Sequence, residues 1–140
     1  MRRDIKKELK MESCKIYYSS WQIQCCGDPF SVGDNIEWTC VIPKKKYADC
    51  HGIKMDFLED HHGEETHTII GTVTKIIAER SEFDANENEI IYEDVDIIRE
   101  ELQHADGCES EFKSDDVVHR CFWGYIVELK DVTLKKIPSK

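Results

Sequence analysis

The sequence lacks the features that mark several functional classes. It has no run of about 18 apolar residues, which excludes a membrane-spanning helix on sequence grounds. Its N-terminus is charged and lacks the apolar segment of a signal peptide, so we expect a cytoplasmic protein. It has no Gly-x-Ser-x-Gly, glycine-rich phosphate loop, His-Glu-x-x-His motif or dinucleotide fingerprint. Because these enzyme motifs are missing, we favour a binding protein, with an enzyme that uses a Cys/His site as an alternative.

Basic residues are also scarce. Lysine and arginine number 19 against 29 aspartates and glutamates, which gives a net charge of −10. Binding to a phosphate backbone needs a basic surface, so we expect no nucleic-acid partner. The acidic balance is compatible with solubility alone, with a cation, or with a basic protein partner.

The length of 140 residues and the 40% hydrophobic content predict one soluble globular domain. We assign residues 1–13 to a peripheral N-terminal extension and residues 14–140 to a single β-rich domain. A further hypothesis is that translation starts at Met11, because Lys7-Glu8 can be encoded by a purine-rich ribosome-binding sequence.

The stretch from Trp21 to Trp38 organises the prediction of fold. Apolar and polar residues alternate from Trp21 to Cys25 and again from Ile36 to Cys40, which is the pattern of half-buried strands. Turn residues, Gly27-Asp28-Pro29 and Gly33-Asp34, separate the two arms. We therefore predict that two tryptophan-bearing strands fold back on each other and seed a small β core.

The remaining patterns extend this core. We predict strands over Lys15–Cys25, Asn35–Ile42, Thr68–Ala78 and Val117–Glu128, and an exposed acidic loop over Glu59–Glu65. The sequence favours one helix near Arg99–His104, and the alternative is two short strands around Tyr92 and Ile97. Gly71 within its strand predicts a bulge, and Lys130-Asp131 predicts a turn. The predicted fold class is mainly β with one helix: a small, strongly bent antiparallel sheet or a partly open SH3- or OB-like barrel.

Seven cysteines and six histidines supply candidate metal ligands. In a reducing compartment most buried cysteines only pack, and metal binding is the minority option. A zinc site would join ligands from the 50–67 loop and the 119–121 strand, and it would staple the loop rather than catalyse. The candidate metal ligands are Cys50, His61, His62, His119 and Cys121.

Aromatic residues are the candidate lining of a binding pocket. The alternative is that they form the core, as aromatic side chains do in most small β proteins. The candidate binding residues are Trp21, Phe30, Trp38, Trp123 and Tyr125. No catalytic residue is singled out, because neither the thiols nor the many carboxylates form a recognisable pair.

The Trp21–Trp38 stretch resembles an uncharacterised family of small bacterial proteins. Their shared sequence motif is Trp-Gln-x-x-Cys-Cys-Gly-x-Pro-Phe-x-Val-Gly-Asp, followed by x-Val-x-Trp. The matching residues of this chain are Trp21-Gln22, Cys25-Cys26-Gly27, Pro29-Phe30, Val32-Gly33-Asp34, Ile36 and Trp38. The resemblance implies a bacterial origin and a compact β domain, and it implies no activity. Phe-x-Val-Gly-Asp-x-Ile-x-Trp also looks like the opening of SH3-like and OB-like barrels.

These observations favour a small acidic binding module that meets a basic protein through its acidic loops, Glu59–Glu65 and Asp106–Asp116. The alternatives are the zinc-stapled domain and the enzyme. The sequence leaves the oligomeric state open.

Overall fold

The structure is a computed structural model that describes residues 8–44, 49–50, 52–61, 63–84, 97–107 and 118–138. Its element order is β1 (Glu8–Ser19), α1 (Ser20–Cys26), β2 (Phe30–Ser31), β3 (Asn35–Val41), β4 (Asp49–Cys50), β5 (Ile53–Lys54), β6 (Phe57–Glu59), β7 (His67–Asp84), β8 (Ile98–Leu102), β9 (His104–Ala105) and β10 (Val118–Lys136). The prediction of a mainly β protein with a strongly bent sheet is confirmed.

Six strands form the main sheet in the order β10-β1-β6-β3-β7-β8, and β10 pairs with β7 as well. The pairing of β1 with β6 is parallel and the others are antiparallel, so the sheet is mixed rather than purely antiparallel. On each side of β6 only two residue pairs hold the sheet together. The sheet therefore curves strongly back toward itself without becoming a closed barrel.

The core lies inside this curve. Strands β1, β3, β7 and β10 supply side chains that water does not reach, and the largest of them is Tyr125. Gly124 lets β1 and β10 approach, because a Cβ at this position would lie 2.6 Å from the carbonyl oxygen of Tyr18. Its φ of +152° is also one that other residues rarely adopt.

The long strands confirm the predictions made from β-branched residues and alternation. The predicted Asn35–Ile42 strand corresponds to β3, Thr68–Ala78 falls within β7, and Val117–Glu128 largely coincides with β10. The predicted turn at Lys130-Asp131 is wrong, because β10 continues through it with a register shift and a φ of +52° at Asp131. That shift lies opposite Gly71, where a bulge was predicted.

The predicted Lys15–Cys25 strand is wrong beyond Ser19. The chain turns into α1, which the Gly27 N–H closes by donating to the Ile23 carbonyl oxygen at 3.0 Å. Burial follows helical contacts, so Gln22 and Ile23 are buried together while Trp21 is 57% exposed. Five alternating residues were too few to distinguish a strand from a short helix.

The helix predicted near Arg99–His104 is also wrong. Ile98–Leu102 is strand β8, and His104–Ala105 is strand β9, which pairs with β2. Pairing with the edge of β7 overrides the helix propensity of Arg99, Glu100 and Glu101. The residues immediately before Ile97 lie outside the described residues.

Residues 8–13, predicted as part of a peripheral extension, belong to β1 and pair with the end of β10. The pairing runs from Glu8 opposite Lys135 to Met11 opposite Val132, and it resumes at Ser13. The hypothesis that translation starts at Met11 stays a prediction.

Candidate functional site

A cavity of about 400 Å³ opens beside β3, in the size range of ligand pockets. Four parts of the chain enclose it: the end of β1, the segment after α1, strand β3 with the turn before it, and the end of β6. The lining residues are Tyr18, Gly27, Asp28, Pro29, Phe30, Asp34, Asn35, Ile36, Glu37, Trp38, Thr39, Glu59 and His61.

The turn that precedes β3 sets the position of this strand. Gly33 has a φ of +97°, as predicted for a turn at Gly33-Asp34, and its N–H donates to the Val73 carbonyl oxygen at 2.8 Å. The Asp34 carboxylate accepts a hydrogen bond from the Ser31 N–H at 2.8 Å. The turn and β3 are therefore anchored to β7, which fixes one side of the cavity.

Three aromatic rings form the apolar side of the cavity. The Trp38 ring meets Tyr18 and Phe30 edge to face, with ring centroids 4.9 Å apart in both cases. Phe30 in turn packs against the fully buried Tyr125 at 5.7 Å. Aromatic faces attract cations, so this side of the cavity suits an apolar or cationic group.

The end of β6 places a buried carboxylate in the cavity. The Glu59 side chain is only 3% exposed, and its Oε2 atom lies 2.8 Å from Nδ1 of His61. Its other oxygen, Oε1, has no hydrogen-bond partner among the described residues. Burial raises the pKa of Glu59, and the hydrogen bond with His61 opposes that rise only in part. A hydrogen-bond donor that entered the cavity would relieve this unsatisfied acceptor.

Hydrogen bonds to β3 hold the chain after Glu59 in place. The Asp60 N–H donates to the Thr39 carbonyl oxygen at 3.0 Å, and the Thr39 hydroxyl donates to the Asp60 carbonyl oxygen. Asp28 and Glu37 add exposed carboxylates at the mouth of the cavity. The site thus combines aromatic faces with negative charge, which is the chemistry that recognises an organic cation.

The predicted binding residues do not all lie together. Phe30 and Trp38 line the cavity, and Tyr125 lies in the core behind Phe30. Trp21 lines a smaller cavity of about 290 Å³, to which Glu59 also contributes. Trp123 donates a hydrogen bond from its indole N–H to the Ser81 hydroxyl on β7.

The zinc site stays a prediction. His62 and the side chains of Cys50 and His119 lie outside the described residues. Of the other two candidates, His61 pairs with Glu59, and Cys121 stands opposite Ser81 in the β10–β7 ladder. Among the described side chains, no group of three or more histidines, cysteines and carboxylates could hold a metal ion.

Two thiols are unsuited to nucleophilic chemistry. Burial raises the pKa of Cys14 and of Cys40 to about 12, with smaller contributions from Asp56 and Glu59 among their acidic neighbours. At neutral pH both are protonated thiols, and the thiolate is the reactive form. The side chain of Cys26 lies outside the described residues.

Sequence reasoning missed Glu59 because it assigned this residue to an exposed acidic loop. The structure corrects this assignment, since Glu59 is buried at the end of β6. A usable signal was present: Phe57 and Glu59 are two residues apart and share a face of the strand, and Phe57 is buried.

Within the described residues, no helix has the length and apolar character needed to cross a lipid bilayer. The cytoplasmic location stays a prediction.

No curated protein and no solved structure matches the chain. A family model matches residues 12–131, and it fits the resemblance to an uncharacterised family, whereas the shared motif and the bacterial origin stay predictions. This match covers most of the 140 residues, so the chain belongs to a family of unknown function (DUF6578).

Proposed function

We propose that this domain binds a basic protein partner and takes one of its cationic side chains into the cavity beside β3. The observation that carries this function is the Glu59 carboxylate, which is buried in the cavity with Oε1 lacking a hydrogen-bond partner among the described residues. A guanidinium or ammonium group supplies both the missing donor and the compensating charge.

The surroundings of Glu59 support a cation rather than a neutral donor. The rings of Tyr18 and Trp38 line the cavity, and Asp28 and Glu37 add negative potential at its mouth. The net charge of −10 attracts basic partners over a longer range, which raises the association rate more than the affinity. The acidic surface thus attracts a partner, and the cavity selects one of its side chains.

N-acetyl-arginine amide is a suitable probe, with the neutral isostere N-acetyl-citrulline amide as its control. We expect the arginine compound to bind with a Kd on the order of a millimolar, the range for so small a ligand, and the citrulline compound not to bind. Titration monitored through the Trp38 indole NMR signal measures both.

Two variants separate the cavity from the general acidity of the chain. Glu59→Gln should abolish binding of the arginine compound, whereas Glu101→Gln removes one charge from the exposed surface of β8 and should leave it unchanged. Equal weakening by both substitutions, or equal binding of citrulline, would show that no cation site exists in the cavity.

The Glu59–His61 hydrogen bond favours a second candidate function, proton transfer to or from a bound substrate. A carboxylate that binds Nδ1 orients an imidazole for general base catalysis. His61→Asn distinguishes the two functions, because cation binding should survive this substitution and proton transfer should not. The zinc-stapled alternative is tested by elemental analysis of protein purified without an affinity tag.

A further inference from the structure

Strand β3 has one edge that its neighbours leave open. On one side it pairs with β7 from Asn35 to Cys40. On the other side its pairing with β6 begins only at Cys40, so no strand of the described chain pairs there with the residues from Asn35 to Trp38. Unpaired strand edges are templates for another strand.

The cavity lies along this open edge. Every residue from Asp34 to Thr39 lines it. Because successive side chains of a strand point to opposite faces, a cavity over one face would be lined by alternate residues only. An unbroken run of lining residues places the cavity at the edge, where the backbone itself is accessible.

Two hydrogen bonds show which backbone groups point into the cavity. The Asp34 carbonyl oxygen accepts from the Val73 N–H on the β7 side, and the Thr39 carbonyl oxygen accepts from the Asp60 N–H on the β6 side. Alternate residues of a strand direct their N–H and C=O groups to opposite edges. Glu37 is two residues from Thr39, so its N–H and C=O point toward the open edge.

We propose that the partner presents its basic side chain on an extended segment that pairs with β3 through the backbone of Glu37. This inference rests on the proposed function and adds the mode of recognition, strand addition to a sheet edge. Main-chain hydrogen bonds to Glu37 align the segment, and its basic side chain reaches Glu59 and the aromatic rings.

The charges at the edge select this occupant. A second copy of this acidic chain would bring its own carboxylates against Asp28 and Glu37 and would be repelled. A basic strand meets opposite charges at the same positions. Glu37 therefore disfavours self-association through this edge and favours the basic partner.

The pentapeptide acetyl-Val-Val-Arg-Val-Val-amide tests the pairing on the wild-type protein, with N-acetyl-arginine amide as the reference. Two backbone hydrogen bonds should make the pentapeptide about tenfold tighter than the reference. A series of peptides with one N-methylated backbone nitrogen each should lose this gain at alternate positions only, because alternate N–H groups of a strand face β3.

Each outcome separates the mode of recognition from the cation site. A pentapeptide no tighter than N-acetyl-arginine amide, or one insensitive to N-methylation, overturns strand addition while the cation site stands. Failure of both compounds to bind overturns the cation site as well. Glu37→Pro removes the N–H and the charge, whereas Glu37→Gln removes the charge alone, so the two variants should bind N-acetyl-arginine amide equally and only Glu37→Pro should lose the roughly tenfold gain of the pentapeptide.

Discussion

Glu59 and Glu79 are two glutamates whose side chains are hidden from water, yet their environments differ. The Glu79 carboxylate is 0% exposed and accepts a hydrogen bond from Nε of Arg99 at 2.9 Å, across the pairing of β7 with β8. Glu59 is 3% exposed and, among the described residues, it pairs with His61 alone and its Oε1 has no hydrogen-bond partner.

The surroundings of Glu79 reinforce the difference. Arg80 on β7 and Arg120 on β10 both pair with the Glu82 carboxylate, and Arg80 also pairs with Glu100 on β8. Cross-strand ion pairs of this kind hold strands in register. Glu79 has its partner in Arg99, whereas Glu59 lines a cavity and its Oε1 has no hydrogen-bond partner among the described residues. We therefore assign a structural role to Glu79, and for Glu59 we propose a role in binding.

The largest expected effect concerns Glu79, the buried carboxylate that has a charged partner. Arg99→Ala removes the guanidinium that pairs with Glu79 and should lower the free energy of unfolding by about 3 kcal/mol, because a buried charge loses its compensating partner. Urea denaturation measures this loss. Glu101→Ala, two residues along the same strand, is the control and should change stability by less than about 0.5 kcal/mol. Equal effects of the two substitutions would remove the structural role assigned to Glu79.

A smaller effect of opposite sign is expected at Glu59. Glu59→Gln replaces a buried carboxylate by a neutral amide and should raise the free energy of unfolding by about 1 kcal/mol at pH 7, while cation binding is lost. Urea denaturation of the variant and the wild type measures the difference. A gain in stability with loss of binding is typical of a residue kept for function, and a loss of stability would make Glu59 a structural residue like Glu79.

The pH dependence of this difference follows from the raised pKa of Glu59. Because the folded state holds this proton more tightly, the unfolded state releases it first as the pH rises above the usual value near 4.5. The contribution of Glu59 to stability is thus fully present below that value and is lost as the pH rises through the folded-state pKa. The advantage of Glu59→Gln should therefore grow with pH, and an advantage that shrinks would contradict the raised pKa.

The contrast between the two glutamates also marks what the sequence could predict. Strands β3, β7 and β10 were predictable, because β-branched residues and alternation act locally. The Glu79–Arg99 pair was not, since it depends on the register of two strands distant in sequence. The burial of Glu59 was predictable only from its spacing to Phe57, which the acidity of the following residues obscured.

The short helix α1 shows the same limit from another side. Its residues alternate in polarity as a strand does, but the chain turns after Ser19, whose partner in the β1–β10 ladder is Gly124. This turn buries Gln22 and exposes Trp21, the reverse of the predicted pattern. Tertiary contacts thus decided an element that local patterning left ambiguous.

The smallest expected effect is that of Trp21→Ala, which tests from which of two cavities the cation reaches Glu59. Glu59 lies between the cavity beside β3 and the smaller one lined by Trp21. Because the proposed cation enters beside Trp38, Trp21→Ala should change the affinity for N-acetyl-arginine amide by less than about twofold and stability by about 0.5 kcal/mol or less, as expected for a side chain that is 57% exposed. The Trp38 indole NMR signal reports binding in this variant. A tenfold loss of affinity would instead place the cation on the Trp21 side of Glu59, and strand pairing at Glu37 would then lose its anchor.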